Sequence, residues 1–174
     1  MSALSPQRHG SLVVRPAAAA DAAEIARVQV QSWRETYPGM VPQEHLDSLS
    51  EAAHTRHWRR ALGTGGPVLV ATWEGGVVGL VSGGLSRWRE DVTGEIHVLY
   101  VLAAAQGKGI GRALFDAAHY ALARRGHRGL AVGVLALNLR ARRFYEHLGG
   151  QIGGETTVSV GGERLREVVY LWPD

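Results

Sequence analysis

Cysteine is absent from all 174 residues. That excludes disulfides, thiolate metal ligands and a cysteine nucleophile, and it makes a cytoplasmic location the expectation. Long apolar runs are missing as well. No window approaches 18 uninterrupted apolar residues, so neither a transmembrane helix nor a membrane partner is expected. Met1 to Gly10 is polar and carries no apolar segment of the secretory-signal kind, so residues 1–10 read as a flexible N-terminal tail. Lysine is nearly absent: Lys108 stands alone among 19 basic residues, the rest being arginine. The net charge is only +3 although the pI is near 9.7. A pI this high raises a nucleic-acid-binding reading, but the chain lacks basic residues interleaved with exposed aromatics, and no nucleic-acid partner is expected. His54 and His57, at i and i+3, offer two metal ligands without a clear third, so no metal site is expected.

What is present is an ordinary globular composition, 45% hydrophobic and 20% charged, in a length that fits one domain over residues 11–174. Residues 12–16 read as a strand. Asp21, with Glu24 three residues on, looks like a capping box that opens a helix burying Ala22, Ile25, Val28 and Ser32 or Trp33, ended by Pro38-Gly39. Two further helices are expected near 43–49 and 51–62. Strands at 68–73 and 77–85 flank a Glu74-Gly75-Gly76 turn. A charged loop, 86–93, precedes a strand at 95–101, a helix running to about Arg125 and a strand at 130–135. A last helix begins at Asn138 and ends at Gly149 in a left-handed cap. Strands at 156–160 and 164–172 flank Gly161-Gly162. This order predicts an α/β fold with a mixed sheet and helices on both faces.

The segment with most chemical content is Gln106-Gly107-Lys108-Gly109-Ile110-Gly111-Arg112, between the strand Glu95-Ile96-His97-Val98-Leu99-Tyr100-Val101 and the helix that follows. Strand, glycine turn and helix start together offer backbone N–H groups and a positive dipole end to a phosphate. A Walker A loop is excluded, because Gly107-Lys108 is followed by Gly109 and no hydroxyl residue. A dinucleotide fingerprint is excluded, because Arg112 occupies its third glycine position and no acidic residue lies between Gly126 and Ala131. Gln-x-x-Gly-x-Gly remains, matched by Gln106, Gly109 and Gly111. A second segment, Asn138-Leu139-Arg140-Ala141-Arg142-Arg143-Phe144-Tyr145-Glu146-His147-Leu148-Gly149, follows at a fixed interval. The pair resembles the two motifs of the GNAT superfamily of N-acetyltransferases, in order and in separation.

That resemblance implies a single GNAT-like domain with a mostly antiparallel twisted sheet and a splayed pair of central strands. It implies acetyl-CoA as co-substrate and an amine as acceptor. Residues 106–112 would cradle the pyrophosphate, and Leu99, Tyr100 and Val101 would offer a backbone N–H to the thioester carbonyl beside a bulge opposite Gly133. Asn138 would contact pantetheine, although helix capping explains it equally well. Catalysis needs a base for the amine and an acid for the leaving thiolate. The resemblance points to Glu95 for the base, directly or through a water, and to Tyr145 for the acid. His97, on the same strand face as Glu95, would be the base instead or contact the substrate. Packing of the last helix accounts for Tyr145 as well. A carboxylate among Ile96 and Val98 would have its pKa raised. Trp33, Glu35 and Tyr37 resemble a segment found near polyamine acetyltransferases, where Trp33 and Tyr37 would wall an amine site and Glu35 would supply charge. Helix-end packing is the plainer account of them. Glu90 and Asp91 would also attract a cation. Arg124, Arg125, Arg128, Arg140, Arg142 and Arg143 are surface residues or partners for the CoA 3′-phosphate. A homodimer is the family default. Two other functions fit the same motifs: a non-catalytic acyl-CoA sensor, and a protein N-terminal or lysine acetyltransferase.

Overall fold

In the computed structural model, which describes residues 11–88 and 90–173, the expected helices and strands all form. The tail read into residues 1–10 lies outside the described residues. The strands are β1 (Val13–Pro16), β2 (Val68–Trp73), β3 (Gly76–Leu85), β4 (Gly94–Val101), β5 (Leu130–Leu135), β6 (Gln151–Val160) and β7 (Glu163–Trp172). The helices are α1 (Ala22–Thr36), α2 (Gln43–Ser48), α3 (Glu51–Ala61), α4 (Ile110–Ala123) and α5 (Leu139–His147). Two short 3-10 turns, Ala19–Asp21 and Ala103–Ala105, went unanticipated.

The seven strands form one sheet in the order β1-β2-β3-β4-β5-β7-β6. Every neighbouring pair is antiparallel except β4 and β5. A parallel pair requires a crossover, and α4 supplies it. Side chains alternate across a strand, yet neighbours such as Val70 and Ala71 or Leu80 and Val81 are all fully buried. Both faces are therefore covered. On β4 the Tyr100 hydroxyl accepts a hydrogen bond from Trp33 of α1, while Val101 lies beside Gly79 near Leu114 of α4. One face thus belongs to α1 and the other to α4.

The spacing of Ile110, Ala113, Leu114, Ala117, Ala118, Ala121 and Leu122 predicts the inner face of α4. The helix buries Ile110, Leu114, Ala118 and Leu122 of these and adds Phe115, while Ala113, Ala117 and Ala121 flank that face half-buried. Helix α1 starts differently from expectation. The Asp21 side chain makes no cap to α1. It turns back instead, accepting from the Ala18 N–H at 2.7 Å and from Arg15 at 2.7 and 2.9 Å. Glu24 reaches across to the Val77 N–H of β3. The capping box is thus replaced by two tertiary ties, because an ion pair with β1 outcompetes a local cap.

Arg15 holds the Asp21 carboxyl below the ordinary carboxylate range, mainly through their hydrogen bond. A depressed folded-state pKa adds stability above the unfolded value near 3.8, and that stability is lost as pH falls through the lowered folded value. Asp21→Asn is expected to cost about 1–2 kcal/mol at pH 7, and to flatten the loss of stability below pH 4, in urea melts across pH.

β6 begins at Gln151, five residues before its predicted start. Its first half, with Gly153 and Gly154, carries a register shift against β7 and lacks the β-branched alternation that marks a strand. It forms because the apolar β7 offers a full edge, and Leu171 occupies the space above Gly153. At the β6–β7 turn, Gly161 and Gly162 both have positive φ, as a tight hairpin requires.

Candidate active site

The central feature is a fork between the two parallel strands. β4 and β5 pair only at Gly94↔Leu130, Glu95↔Ala131 and Ile96↔Val132. Beyond that rung β4 continues to Val101 and β5 to Leu135 without pairing. On its other side β4 carries a bulge: Ser82 faces Val98 and Gly83 faces Ile96, leaving His97 as the extra residue. A bulge sharpens the local twist and frees backbone groups from the ladder. The fork and the bulge are the splay and the irregularity the family resemblance implied. The bulge lies on the β3 side of β4, at His97, and Gly133 is the first β5 residue beyond the last rung.

Just past the fork the chain enters the glycine turn. Gly107 and Gly109 have φ of +76° and +78°, a backbone region that L side chains avoid. Gly109 precedes the first residue of α4, and no side chain caps that helix. The opening N–H groups of α4 therefore face outward without an intrahelical acceptor, and no acidic residue sits in its first turn. Gly111 is needed for a different reason. Its Cβ would lie 3.3 Å from the Phe144 ring, so it lets α5 pack against the head of α4. Gln106 donates to the Val101 carbonyl, which ties the turn to the end of β4. Among the described residues its buried Oε1 has no hydrogen-bond partner, leaving an acceptor for an N–H or O–H of a bound group. Lys108 folds back on the Ala104 carbonyl at 2.7 Å, and Arg112 stands 3.6 Å from Asp116.

Aromatic groups converge on the fork. Tyr145 is buried against Phe115, Phe144, Tyr170 and Trp172, and burial pushes its hydroxyl well above the ordinary phenol range. It stays protonated and can donate. On the α1 face, Trp33 donates to Tyr100 at 2.8 Å and meets Tyr37 edge-on at 4.7 Å. Tyr37 is raised by burial, against a hydrogen bond with Asn138, and further by the negative charge of Glu167. Tyr37 thus links the end of α1 to the cap of α5 and lies within the field of Glu167. Asn138 also accepts from the Ala141 N–H, so it is the cap of α5 as well as a lining residue. The tip of the β6–β7 hairpin closes the far side, where Gly161 lies against His45 of α2 and the Pro42 that precedes it.

The acidic groups differ from the expectation. Glu95 is on the α1 face and almost wholly buried, but both its oxygens are committed. Arg87 donates its backbone N–H at 2.9 Å and its guanidinium at 2.6 and 3.3 Å. His97 stands 3.9 Å from Glu95, with its Nε2 3.3 Å from the Leu85 carbonyl. Glu35 is not free for an amine: it accepts from Ala103 N–H at 2.9 Å and from Gln31, fastening α1 to the start of the glycine turn. A carboxylate that sequence reading passed over, Glu167 of β7, covers Gly133. Its one sequence signal is its place at the edge of the apolar run Val168–Trp172. Glu90 lines a separate surface cavity of about 400 Å³ with Leu85, Arg87 and Trp88. Of the arginines, Arg142 is tied to Tyr170 and the Ala136 carbonyl, and Arg125 to the Gly65 carbonyl. His54 binds the Ser50 carbonyl.

Residues 28–150 match the acetyltransferase (GNAT) family. The chain is 33% identical over 165 residues to the N-acetyltransferase YuaI of Bacillus subtilis, covering 94% of each protein. It is 33% identical over 157 residues to the 5-NmdU N-acetyltransferase of Pseudomonas phage PaMx11, covering 88% of this chain and 95% of the other. Among solved structures it superposes with a TM-score of 0.73 on the YncA acetyltransferase of Salmonella typhimurium in complex with acetyl-CoA, at 23% identity and 94% coverage of both chains.

Proposed function

The chain belongs to the acetyltransferase (GNAT) family and is an acyltransferase, and on that premise we propose that it moves an acetyl group from acetyl-CoA to a primary amine in a ternary complex. The observation that carries the reading is the fork. β4 and β5 part after Ile96 and Val132 directly before a turn whose glycines, at positive φ, present outward N–H groups.

Residues 106–112 fit a pyrophosphate. The turn is free of acidic side chains, the head of α4 supplies amides and dipole, and nothing bulkier than hydrogen projects from Gly107 or Gly109. The orphaned Gln106 Oε1 fits a donor on the same ligand. The gap between the strands fits pantetheine, with free N–H groups of β4 near Leu99 to Val101 available to the thioester carbonyl. Acetyl-CoA supplies the activated acyl group, and the protein supplies position and protons. Tyr145, buried and protonated, gives its proton to the departing sulfur. The acceptor enters from the α1 face, between Trp33 and Tyr37 on one side and the β6–β7 hairpin on the other. There the carboxylate of Glu167 favours a cationic amine, and a small molecule suits the space between them.

The test is thiol release from acetyl-CoA against polyamines, amino acids, aminoglycosides and peptide N-termini. Acetylation of one of these amines is expected. Tight acetyl-CoA binding with no thiol release on any of them would instead identify an acyl-CoA sensor.

A further inference from the structure

We propose that the Glu167 carboxylate, rather than Glu95, takes the proton from the incoming ammonium group. The inference rests on the amine acetylation proposed above and assigns a further residue of that site.

The argument begins with placement. Glu167 stands opposite Leu135 of β5 and Thr156 of β6, and its side chain reaches diagonally over Gly133. A Cβ on Gly133 would fall 2.6 Å from the carboxyl carbon and 2.8 Å from both oxygens. The space that any side chain at 133 would fill is therefore held by this carboxyl. Gly133 is also the first β5 residue beyond the last rung shared with β4. The carboxyl thus sits at the mouth of the fork, on the face that carries Tyr37 and Glu95.

Availability separates the two carboxylates. Arg87 takes both oxygens of Glu95. Among the described residues, no hydrogen bond or ion pair engages the Glu167 side chain. His97 directs its Nε2 to the Leu85 carbonyl, which leaves Nδ1 as its one remaining acceptor.

The surroundings suit the task. Burial raises the Glu167 pKa and the charge of Glu95 raises it further, while Arg87 opposes. The hydroxyl of Tyr37 also feels its charge. A carboxylate moved toward neutrality accepts a proton more readily than an ordinary one. Glu95 is then a positioning residue, a fixed charge held by Arg87 that acts through Glu167.

The step balances. Glu167 accepts one proton from R–NH3+, leaving R–NH2. The nitrogen lone pair forms a C–N bond to the thioester carbonyl carbon, and the C–S bond breaks with its electron pair on sulfur. Sulfur takes the Tyr145 proton. The nitrogen's remaining surplus proton restores Tyr145, and Glu167 releases its own to water. The products are the acetamide, CoA thiol and one proton.

The experiment compares wild type, Glu167→Gln, Glu167→Asp and Glu95→Gln as full chains. The substrates are acetyl-CoA and spermidine, or whichever amine of the panel is turned over fastest. Acetyl-CoA affinity is measured by calorimetry on each variant. Glu167→Gln is expected to keep that affinity, to lower kcat/KM about 30-fold at pH 7, and to lose the acid limb of the pH profile. The deficit shrinks as pH rises and the amine loses its own proton. Glu167→Asp keeps the limb at a severalfold lower kcat, and it carries the test if Glu167→Gln loses acetyl-CoA binding. Glu95→Gln keeps an acid limb, displaced to lower pH because one neighbouring negative charge is gone. An unchanged limb in Glu167→Gln, or wild-type rates in both Glu167 variants, overturns this inference alone. A wild-type chain that binds acetyl-CoA and acetylates no amine overturns the proposed function and this inference with it.

Discussion

Replacing Gly109 with valine is expected to weaken acetyl-CoA binding roughly 100-fold, about 2.7 kcal/mol, while leaving the fold intact. The φ of +78° at Gly109 lies in the left-handed region, which costs an L-residue about 1–2 kcal/mol and a β-branched one more. The site is an exposed turn with nothing within 4 Å of a built Cβ. The variant can therefore relax the turn in the free protein without unfolding. The cost falls due on binding, when the turn must return to the strained conformation that aims its amides. The new side chain also stands where a phosphate would approach the backbone. Gly111→Leu is expected to behave differently. Its backbone tolerates a side chain, but its Cβ meets Phe144 at 3.3 Å. It should displace α5, and with it Tyr145, so that kcat falls together with affinity. Calorimetric titration with acetyl-CoA, paired with thiol-release kinetics, separates the two. Undiminished affinity in both variants would remove residues 106–112 from the binding site.

Tyr145→Phe is expected to lower kcat roughly 100-fold with acetyl-CoA affinity within twofold of wild type, the scale of general acid catalysis. Only a hydroxyl is lost. The ring contacts with Phe115, Phe144, Tyr170 and Trp172 are those a phenylalanine also makes, so packing survives. Burial holds the hydroxyl protonated beyond the physiological range, and no alkaline limb from Tyr145 should therefore appear below pH 10 in the wild type. An acceptor whose reaction is insensitive to the substitution would show that the thiolate leaves without this proton.

The elements were legible in the sequence because their signals are local. The strand Leu130–Leu135 and the hairpin strand Val68–Trp73 were bounded to the residue by apolar runs and the glycines around them. Helix α4 followed from the i, i+3/i+4 spacing of Ile110, Ala113, Leu114, Ala117, Ala118, Ala121 and Leu122, of which Ile110, Leu114, Ala118 and Leu122 are buried. β6 was read too short, since its first half is held by its neighbour and not by its own propensity. Gln106, Gly109, Gly111 and Asn138 to Tyr145 were visible as motifs because a phosphate turn and a capped helix each fit within a dozen residues.

The sequence alone therefore determined which elements form, their order and the family to which they belong. Tertiary structure decided which charges are free. Asp21 looked like a helix cap and is the partner of Arg15. Glu95 looked like a free base and is bound by Arg87, eight residues earlier in the chain. Glu167 carries no sequence signal of a role and covers Gly133, 34 residues away in sequence. Hydrophobic period and turn chemistry act over a few residues, so they can be read from the order of letters. The commitment of a carboxylate depends on which distant strand lies beside it, and that is set by the register of the whole sheet.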